Sequence, residues 1–326
     1  MVTDATPSAT TGFAADTDAF LGAVNDAQNE TGLDANQIIH DYWLVRALHG
    51  VAESFGNTGE MVRHRSKGER ARVGRWAFGG GTSLTAAWGI GDRYSEDIDG
   101  NLFVEHDQIS KSVRHKVCKT VLTAALSALE RTDHDTRGDL VRTTRVSVDG
   151  RVGYLKFETS IQQTDSDIVS GIVEPRRVMS ILGRHATDAD ITRFPELGGF
   201  ELLCIRPAWT AVNKFDALHR RAAKGDYQGV RGRGRDLYDL WAIAISEHAN
   251  DVRAQIPGLW EHAASAIRGA EPRPIGGYSS AELFTSGTDA NTALRTGYED
   301  AVNDTVWGDA PPFTEAIEAA RGLDRT

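Results

Sequence analysis

Two short stretches of the sequence contain residues whose types and spacing could do chemistry. The first, Gly-Gly-Thr-Ser at residues 80–83, follows a short apolar run, and the second is Asp-Ile-Asp at residues 97–99. A glycine turn that leads from a strand into a helix presents free backbone N–H groups and a positive helix end, which suits a phosphate. Such turns are also common for steric reasons alone, so the first stretch by itself leaves both interpretations open.

The spacing of Asp97 and Asp99 favours a cation site. Residues two apart on a strand point to the same side, with side chains roughly 6.6 Å apart. At an effective dielectric of about 20, two carboxylates at this separation repel by on the order of 2.5 kcal/mol, and a divalent cation between them would reverse that cost. An acidic strand end that faces water is the alternative. Together with the glycine turn, the pair predicts a phosphate cradle beside a metal site.

The elements that must position these residues follow from the hydrophobic periodicity. The pattern predicts helices at residues 35–52, 82–88 and 110–129, and a basic loop at 57–73. It predicts strands at 75–78 and 97–105, and an antiparallel strand pair at 140–148 and 152–161. Past Glu174 the pattern turns mainly helical, with helices predicted at 207–223, 235–249, 252–267 and 291–306. Both chemical stretches therefore fall in an N-terminal part of mixed α and β structure.

The order of these elements carries a resemblance to a known superfamily. A strand, Gly-Gly-Thr-Ser, a helix, a turn and a strand with Asp-x-Asp resemble the signature of polymerase-β-like nucleotidyltransferases. More narrowly, Gly80–Leu84 followed by Arg93–Asp99 is similar to the AbiEii/MenT family of toxins from type IV toxin–antitoxin and abortive-infection systems. Three further stretches resemble motifs of that family, namely His40–Trp43, Asn213–Leu218 and Arg235–Leu240.

The resemblance implies a fold and a division into domains. The expected fold class is α+β, with a polymerase-β-like nucleotidyltransferase domain that contains a mixed β-sheet, followed by a mainly helical C-terminal domain. We predict a loose leader at residues 1–33, the nucleotidyltransferase domain at 34–175 and the helical domain at 176–326. The boundary is drawn at Pro175 and the proline- and glycine-containing turn at 195–199, because such residues punctuate regular structure.

The resemblance also implies the residues of the site. Catalytic roles fall on Asp97, Asp99, Lys214 and Asp236, and a Mg²⁺ or Mn²⁺ cofactor is expected on Asp97, Asp99 and Glu158. The substrate, a nucleoside triphosphate, is expected to contact Gly80, Gly81, Thr82, Ser83, Arg93 and Lys214.

Several of these roles have an alternative that the sequence leaves open. Glu158 could instead be a surface residue that shares a strand face with Lys156. Asp236 could orient Lys214 or the nucleotide, or it could form an ordinary ion pair with a nearby arginine. Arg93 could hold a phosphate or the first carboxylate of the Asp-x-Asp pair.

The chain departs from the family pattern at three positions. Gly79 stands where many relatives carry a lysine, His40 replaces the lysine of the N-terminal motif, and Gly100 follows the Asp-x-Asp pair where an aliphatic residue is usual. These departures leave the nucleotide preference open. Ser95, two residues before the metal pair, is a possible regulatory phosphorylation site, and Asp239 could be structural.

Composition and charge bound the function. With 40% hydrophobic and 25% charged residues, the chain is typical of a globular protein, and Cys118 and Cys204 are too few for a disulfide framework. The N-terminus lacks a signal-peptide pattern and no stretch approaches the roughly 18 apolar residues of a membrane span, so we expect a cytoplasmic protein without a membrane partner. The net charge is −10, but basic clusters occur at residues 63–75, 111–119 and 220–235. A polyanion could bind there.

The leading interpretation is transfer of NMP from NTP to an RNA acceptor, the 3′ end of tRNA by resemblance, by a growth-inhibiting toxin with a cognate antitoxin. One alternative is transfer to a small hydroxylated molecule or a protein side chain, which needs no basic track. The other is a catalytically idle module that binds RNA or a partner.

Overall fold

The computed structural model describes residues 13–64, 70–95, 97–104, 119–125, 127, 132–137, 141–148, 151–163, 166–266, 277, 281–308 and 310–324. Eight strands are described: β1 (Glu60–His64), β2 (Arg70–Gly79), β3 (Asp97–Val104), β4 (Thr132–Arg137), β5 (Val141–Val148), β6 (Arg151–Gln163), β7 (Val173–Val178) and β8 (Phe200–Ile205). The named α-helices are α1 (Thr17–Thr31), α2 (Ala35–Phe55), α3 (Gly80–Trp88), α4 (Ser166–Ile172), α5 (Ile181–His185), α6 (Asp188–Arg193), α7 (Pro207–Ala223), α8 (Tyr227–Arg231), α9 (Gly234–Ile245), α10 (Ala249–Ala266), α11 (Asp289–Thr305) and α12 (Phe313–Asp324).

All the described strands belong to one mixed sheet. Its order is β4-β5-β6-β3-β2-β8-β7, and β1 pairs with the first half of β2. The pairs β3–β6 and β2–β8 are parallel, whereas β2–β3, β4–β5, β5–β6 and β7–β8 are antiparallel. The strand that carries the Asp-x-Asp pair, β3, is therefore central, with β2 on one side and β6 on the other.

Helices cover the sheet and tie it to the second half of the chain. Helix α3 packs against β2, β3, β7 and β8, and it also contacts α7. Helix α2 packs against β6 and β8. Its start is fixed by a capping box, in which Asp34 accepts from the helix and the Gln37 side chain accepts from the Asp34 N–H.

The family-like motif at residues 40–43 acts in packing through its aspartate. The Asp41 Oδ2 atom accepts a hydrogen bond of 2.6 Å from the Ile181 N–H, at the start of α5. Burial raises the pKa of Asp41 above its usual range, although the nearby Arg184 opposes this. The motif thus joins α2 to the segment between β7 and β8.

Most of the predicted elements are confirmed, and one is wrong. The α+β class with a mixed sheet is confirmed, as are the helix that starts at Ala35 and the strand that starts at Asp97. Within the loop predicted at 57–73, residues 60–64 form β1 and residues 70–73 form the start of β2, and the two strands pair with each other, whereas residues 65–69 lie outside the described residues. The helix predicted at 110–129 is helical at 119–125, and residues 110–118 lie outside the described residues, as do residues 149–150, which join the two strands of the predicted antiparallel pair.

The structure corrects the predicted domain division at two points. The boundary at residue 175 falls inside β7, and β8, which was assigned to the helical half, pairs with β2 in the same sheet. The leader is not loose from Phe13 onward, because α1 buries Phe20, Val24 and Ala27 in the core. Residues 1–12 lie outside the described part of the chain.

None of the helices that the structure describes combines the length and the apolar character that a membrane span requires.

Candidate functional site

Strand register brings the predicted carboxylates side by side. In the parallel pair of β3 and β6, Asp97 lies opposite Lys156 and Asp99 lies opposite Glu158. In the antiparallel pair of β2 and β3, Asp99 lies opposite Gly79, the last residue before α3. Because side chains two apart on a strand share a face, three carboxylates and one lysine lie together on one face of β3 and β6. We call Asp97, Asp99, Lys156 and Glu158 the strand cluster.

The glycine turn packs directly against the strand cluster. Gly80 begins α3 with a φ of 72°, in the left-handed region that favours glycine. A Cβ atom placed on Gly80 would clash with the Asp99 carboxylate. The backbone at the start of α3 can therefore approach the carboxylate as closely as it does only because residue 80 has no side chain.

Lys156 bridges two members of the strand cluster. Its Nζ atom lies 2.9 Å from Asp97 Oδ2 and 3.0 Å from Glu158 Oε1. Partial burial lowers the pKa of Lys156, but the hydrogen bonds to Asp97 and Glu158 outweigh this and raise it above the usual range. The ammonium group is thus held in its charged form between the two carboxylates.

Asp99 is the least compensated carboxylate of the strand cluster. Burial raises its pKa first, and repulsion from Glu158 and Asp97 raises it further, to about 6. Lys214 and Lys156 lower it, without cancelling the rise. A raised carboxylate pKa between like charges is the electrostatic condition that a bound cation would relieve.

Helices α7 and α9 supply a second set of charges, and this set is buried. The Lys214 Nζ atom lies 3.0 Å from Asp236 Oδ1 and 2.5 Å from Asp239 Oδ2. Burial lowers the pKa of Lys214, but the two aspartates raise it above the usual range. The lysine head therefore stays charged although only about 10% of its side chain is exposed.

Arg93 completes the buried set. Its Nε and Nη2 atoms donate to the two oxygens of Asp239, both at 2.9 Å, and Nη1 donates to the Tyr94 carbonyl. Burial raises the pKa of Asp239, but Arg93 and Lys214 outweigh this and lower it to about 2. We call Arg93, Lys214, Asp236 and Asp239 the buried network.

The two charge groups meet at one cavity of about 290 Å³. Gly80, Gly81 and Asp99 line one side of it, and Lys214, Arg233 and Asp236 line the other, together with Gly100, Asn101, Ile205, Thr210, Asn213, Ala217 and Arg220. A glycine turn with free backbone N–H groups, a carboxylate and a lysine thus face one space that could accept a phosphorylated ligand.

The comparison with protein families decides the assignment. A model of the family described as the nucleotidyl transferase AbiEii toxin of type IV toxin–antitoxin systems matches residues 70–318, which is more than half of the chain. The chain belongs to this family. It is accordingly a nucleotidyltransferase, and the toxin of a toxin–antitoxin system.

The other comparisons add little to this. No curated protein matches the chain. Among solved structures, the chain is similar to a crystal structure from H. pylori described as a candidate nucleotidyltransferase, with 14% identity, a TM-score of 0.43, and coverage of 89% of this chain and 94% of that one. A similarity of this degree does not support an assignment, which rests on the AbiEii family match.

Three of the predicted nucleotide-binding side chains are turned inward. The Thr82 hydroxyl donates to the Asp97 carbonyl at 2.5 Å, and the Ser83 hydroxyl donates to the Gly80 carbonyl at 2.9 Å. Arg93 is buried, and it pairs with Asp239 rather than with Asp97. None of these three side chains lines the cavity. Arg93 thus takes neither of the two partners expected for it in this structure, whereas the expected contact of the nucleotide with the backbone of Thr82 and Ser83 stays a prediction.

Two of the departures from the family pattern have a steric reason. A Cβ atom on Gly100 would clash with the Trp76 indole, whose Nε1 atom donates to the Thr159 hydroxyl at 3.3 Å. A Cβ atom on Gly79 would lie 2.6 Å from Ile205 Cδ1. Large side chains on β2 and β8 thus fill the space that aliphatic or lysine side chains would need at these positions.

Sequence reasoning missed two residues of the site. Lys156 was considered only as a neighbour of Glu158, and Asp239 only as a structural residue, yet each contacts two charged partners. Lys156 could have been found from the strand register, since it shares a face with Glu158. Asp239 could have been found because it lies three residues after Asp236 on one helix, within reach of the same lysine.

The strand cluster has the donors that a hard cation prefers, but Lys156 stands among them. Carboxylate oxygens suit Mg²⁺ and Mn²⁺, and Asp97, Asp99 and Glu158 supply them from neighbouring strands. Among the described residues, however, no three His, Cys, Asp or Glu side chains are close enough together to hold a metal ion. The donor chemistry fits a cation, whereas the arrangement in this structure is the one adopted around an ammonium group.

Proposed function

We propose that this toxin transfers NMP from a nucleoside triphosphate to an RNA acceptor, the 3′ end of tRNA, in the cytoplasm and with Mg²⁺ or Mn²⁺ as cofactor, as the family resemblance implies. The observation that supports this most is that the Gly80–Gly81 turn, Asp99 and Lys214 line a single cavity. A cognate antitoxin is expected to neutralise it.

Asp97, Asp99 and Glu158 would hold the cation in the complex with nucleotide. When bound, the cation would activate the attacking hydroxyl and stabilise the leaving pyrophosphate. The raised pKa of Asp99, at about 6, supports this role, because a divalent charge would offset the repulsion among the three carboxylates.

The protein would bind the triphosphate with fixed positive groups. Gly80 and Gly81, at the start of α3, and Lys214 line the same cavity. The Asp236 and Asp239 carboxylates fix the position of Lys214 before the substrate arrives. In-line transfer depends mainly on such positioning and on charge neutralisation.

The acceptor is where a second candidate has support. Three arginines of the basic cluster at 220–235 already have acidic partners: Arg220 pairs with Asp216, Arg221 with Asp226, and Arg231 with Asp300. Together with the net charge of −10, these pairs favour a small hydroxylated molecule or a protein side chain as the acceptor. RNA remains our first choice because Arg220 and Arg233 lie at the cavity itself.

Labelled nucleotides test the proposal. The protein and Mg²⁺ are incubated with total RNA and each α-labelled NTP in turn, beside an Asp97→Asn, Asp99→Asn double variant. We expect the wild type, and not the variant, to label a band of tRNA size. If label enters a small molecule or a protein and no RNA, the second candidate replaces the first.

Charge reversal distinguishes the two acceptors further. Replacing Arg220, Arg221 and Arg231 by glutamate should reduce RNA labelling strongly at low salt, and the difference from the wild type should shrink as salt rises, because a protein with fewer phosphate contacts depends less steeply on salt. Transfer to a small acceptor should survive the same changes.

A further inference from the structure

Lys156 occupies the centre of the strand cluster by virtue of the sheet register. It lies opposite Asp97 across the parallel pair of β3 and β6, and it precedes Glu158 by two residues on the same strand face. Its ammonium group contacts one carboxylate on each strand, at 2.9 and 3.0 Å. Because the pairing of β6 with β3 fixes the position of the Lys156 backbone, its side chain can reach both carboxylates.

Among the described residues, Lys214 is the other lysine that acts on the Asp99 carboxylate, and it contacts a different pair of aspartates. Lys214 is held by Asp236 and Asp239 at 3.0 and 2.5 Å. Lys156 therefore supplies the positive charge that Asp97 and Glu158 contact, while Asp99 retains the raised pKa of an under-compensated carboxylate. With three carboxylates and one ammonium group, the strand cluster keeps an excess of two negative charges.

We propose that Lys156 is a displaceable internal counter-ion, which holds Asp97 and Glu158 in place in the metal-free protein and competes with the divalent cation for their oxygens. The inference rests on the proposed function, in which the same carboxylates hold that cation. An ammonium group and a divalent cation cannot occupy the same position between two carboxylates. Cation binding therefore requires the ammonium group to move, and Lys156 lowers the apparent cation affinity while it prevents the carboxylates from repelling one another.

The side-chain exposure agrees with a displaceable group. Lys156 is 40% exposed, whereas Lys214 is 10% exposed. An exposed ammonium group can turn into water at small cost, because exposed ion pairs are weak. Lys156 is thus a positioning residue whose position can change, unlike the buried Lys214.

Direct cation binding tests the inference independently of activity. Mn²⁺ alone is titrated, with free Mn²⁺ followed by electron paramagnetic resonance, into the wild type, Lys156→Met, Lys156→Arg and the control Lys119→Met, which removes the same charge from an exposed lysine outside the site. We expect Lys156→Met to bind Mn²⁺ about tenfold more tightly, because two exposed ion contacts no longer compete. Lys156→Arg should bind Mn²⁺ more weakly than the wild type, and Lys119→Met should bind it with the wild-type affinity.

Thermal unfolding gives the second readout. In EDTA, Lys156→Met should melt below the wild type, because the carboxylates then repel without a counter-ion, and Mn²⁺ should raise its melting temperature more than that of the wild type. If Lys156→Met does not fold, Lys156→Arg decides the question, since an arginine that pairs with both carboxylates should weaken Mn²⁺ binding. An unchanged affinity in Lys156→Arg would then overturn the inference.

The two failures are distinguishable. If the wild type binds Mn²⁺, Asp97→Asn abolishes the binding and Lys156→Met leaves it unchanged, the cation site stands and the counter-ion role of Lys156 is wrong. If neither the wild type nor Lys156→Met binds Mn²⁺, the proposed cation site is wrong and the inference fails with it.

Discussion

The strand cluster and the buried network contain the same kinds of charged side chain, but they differ in charge balance and in exposure to water. In the buried network, two cations and two anions are matched, and Lys214 and Asp239 are almost completely shielded from water. In the strand cluster, three carboxylates share one lysine, and the Lys156 and Glu158 side chains are about 40% exposed.

The difference follows from where each group lies. A buried charge must be paired, because desolvation of an unpaired ion costs several kcal/mol, and the helices α7 and α9 bring the partners together. The strand cluster is only partly buried, and Asp99 lines the cavity, so an excess of negative charge is tolerated there. The side chains of the buried network are therefore fixed by their partners, whereas the excess negative charge of the strand cluster favours binding of a further cation.

Removing Asp239 should break the buried network most severely. Asp239→Ala leaves Arg93 and Lys214 without their shared carboxylate, and loss of one partner of a buried ion pair costs about 3 to 5 kcal/mol. Urea unfolding would measure the loss. Asp236→Ala is the matched control and should cost less, because Lys214 retains Asp239. Equal losses in both variants would show that the network is not centred on Asp239.

Removing Asp99 should affect activity and spare stability. Asp99→Asn keeps the shape and removes one of three repelling charges, so nucleotidyl transfer should fall by about 100- to 1,000-fold while the melting temperature in EDTA stays equal or rises. Glu318→Gln, on α12, should alter neither property. A large drop in the melting temperature of Asp99→Asn would contradict the comparison between the two groups.

The pH dependence of stability should separate the two groups by its sign. The folded-state pKa of Asp99, at about 6, is above its usual value of 3.8, so the metal-free protein should lose stability as the pH rises from about 4 to 6. The folded-state pKa of Asp239, at about 2, is below that value, so its contribution is present above pH 4 and is lost as the pH falls toward 2.

Unfolding free energies measured in EDTA between pH 4 and 7 test the first of these signs. The wild type should lose on the order of 2 kcal/mol relative to Asp99→Asn over this range. Saturating Mg²⁺ should reduce the difference, because the cation takes over the compensation. A difference that does not change with pH would contradict the raised pKa of Asp99.

The smallest effect is expected at Arg233. This arginine contacts Asp236 at 3.3 Å from a side chain that is about half exposed, so Arg233→Ala should change the unfolding free energy by less than about 1 kcal/mol. The same urea titration measures it beside Asp239→Ala. A loss as large as that of Asp239→Ala would place Arg233 inside the buried network.

Local rules were sufficient for much of the fold and for the outline of the site. The strand period predicted that Asp97 and Asp99 share a face, and the order of elements predicted the α+β class. The motifs at 80–84 and 93–99 resembled those of the AbiEii family, which the comparison confirmed. The contact between Lys214 and Asp236 was one of the alternatives considered, and the structure contains it. The prediction of a loop at 57–73 was wrong where β1 and β2 pair, because strand pairing outweighed the charge and glycine pattern.

The sequence by itself determined which residues could bind phosphate and cation, because those abilities depend on residue type and short-range spacing. Only the tertiary structure decided how they are paired. The parallel register of β3 and β6 places Lys156 between two carboxylates. The packing of α9 against the segment before β3 brings Arg93 into contact with Asp239 rather than with Asp97. Both contacts join residues far apart in the chain, and their geometry follows from how strands and helices pack, which spacing along the sequence does not specify.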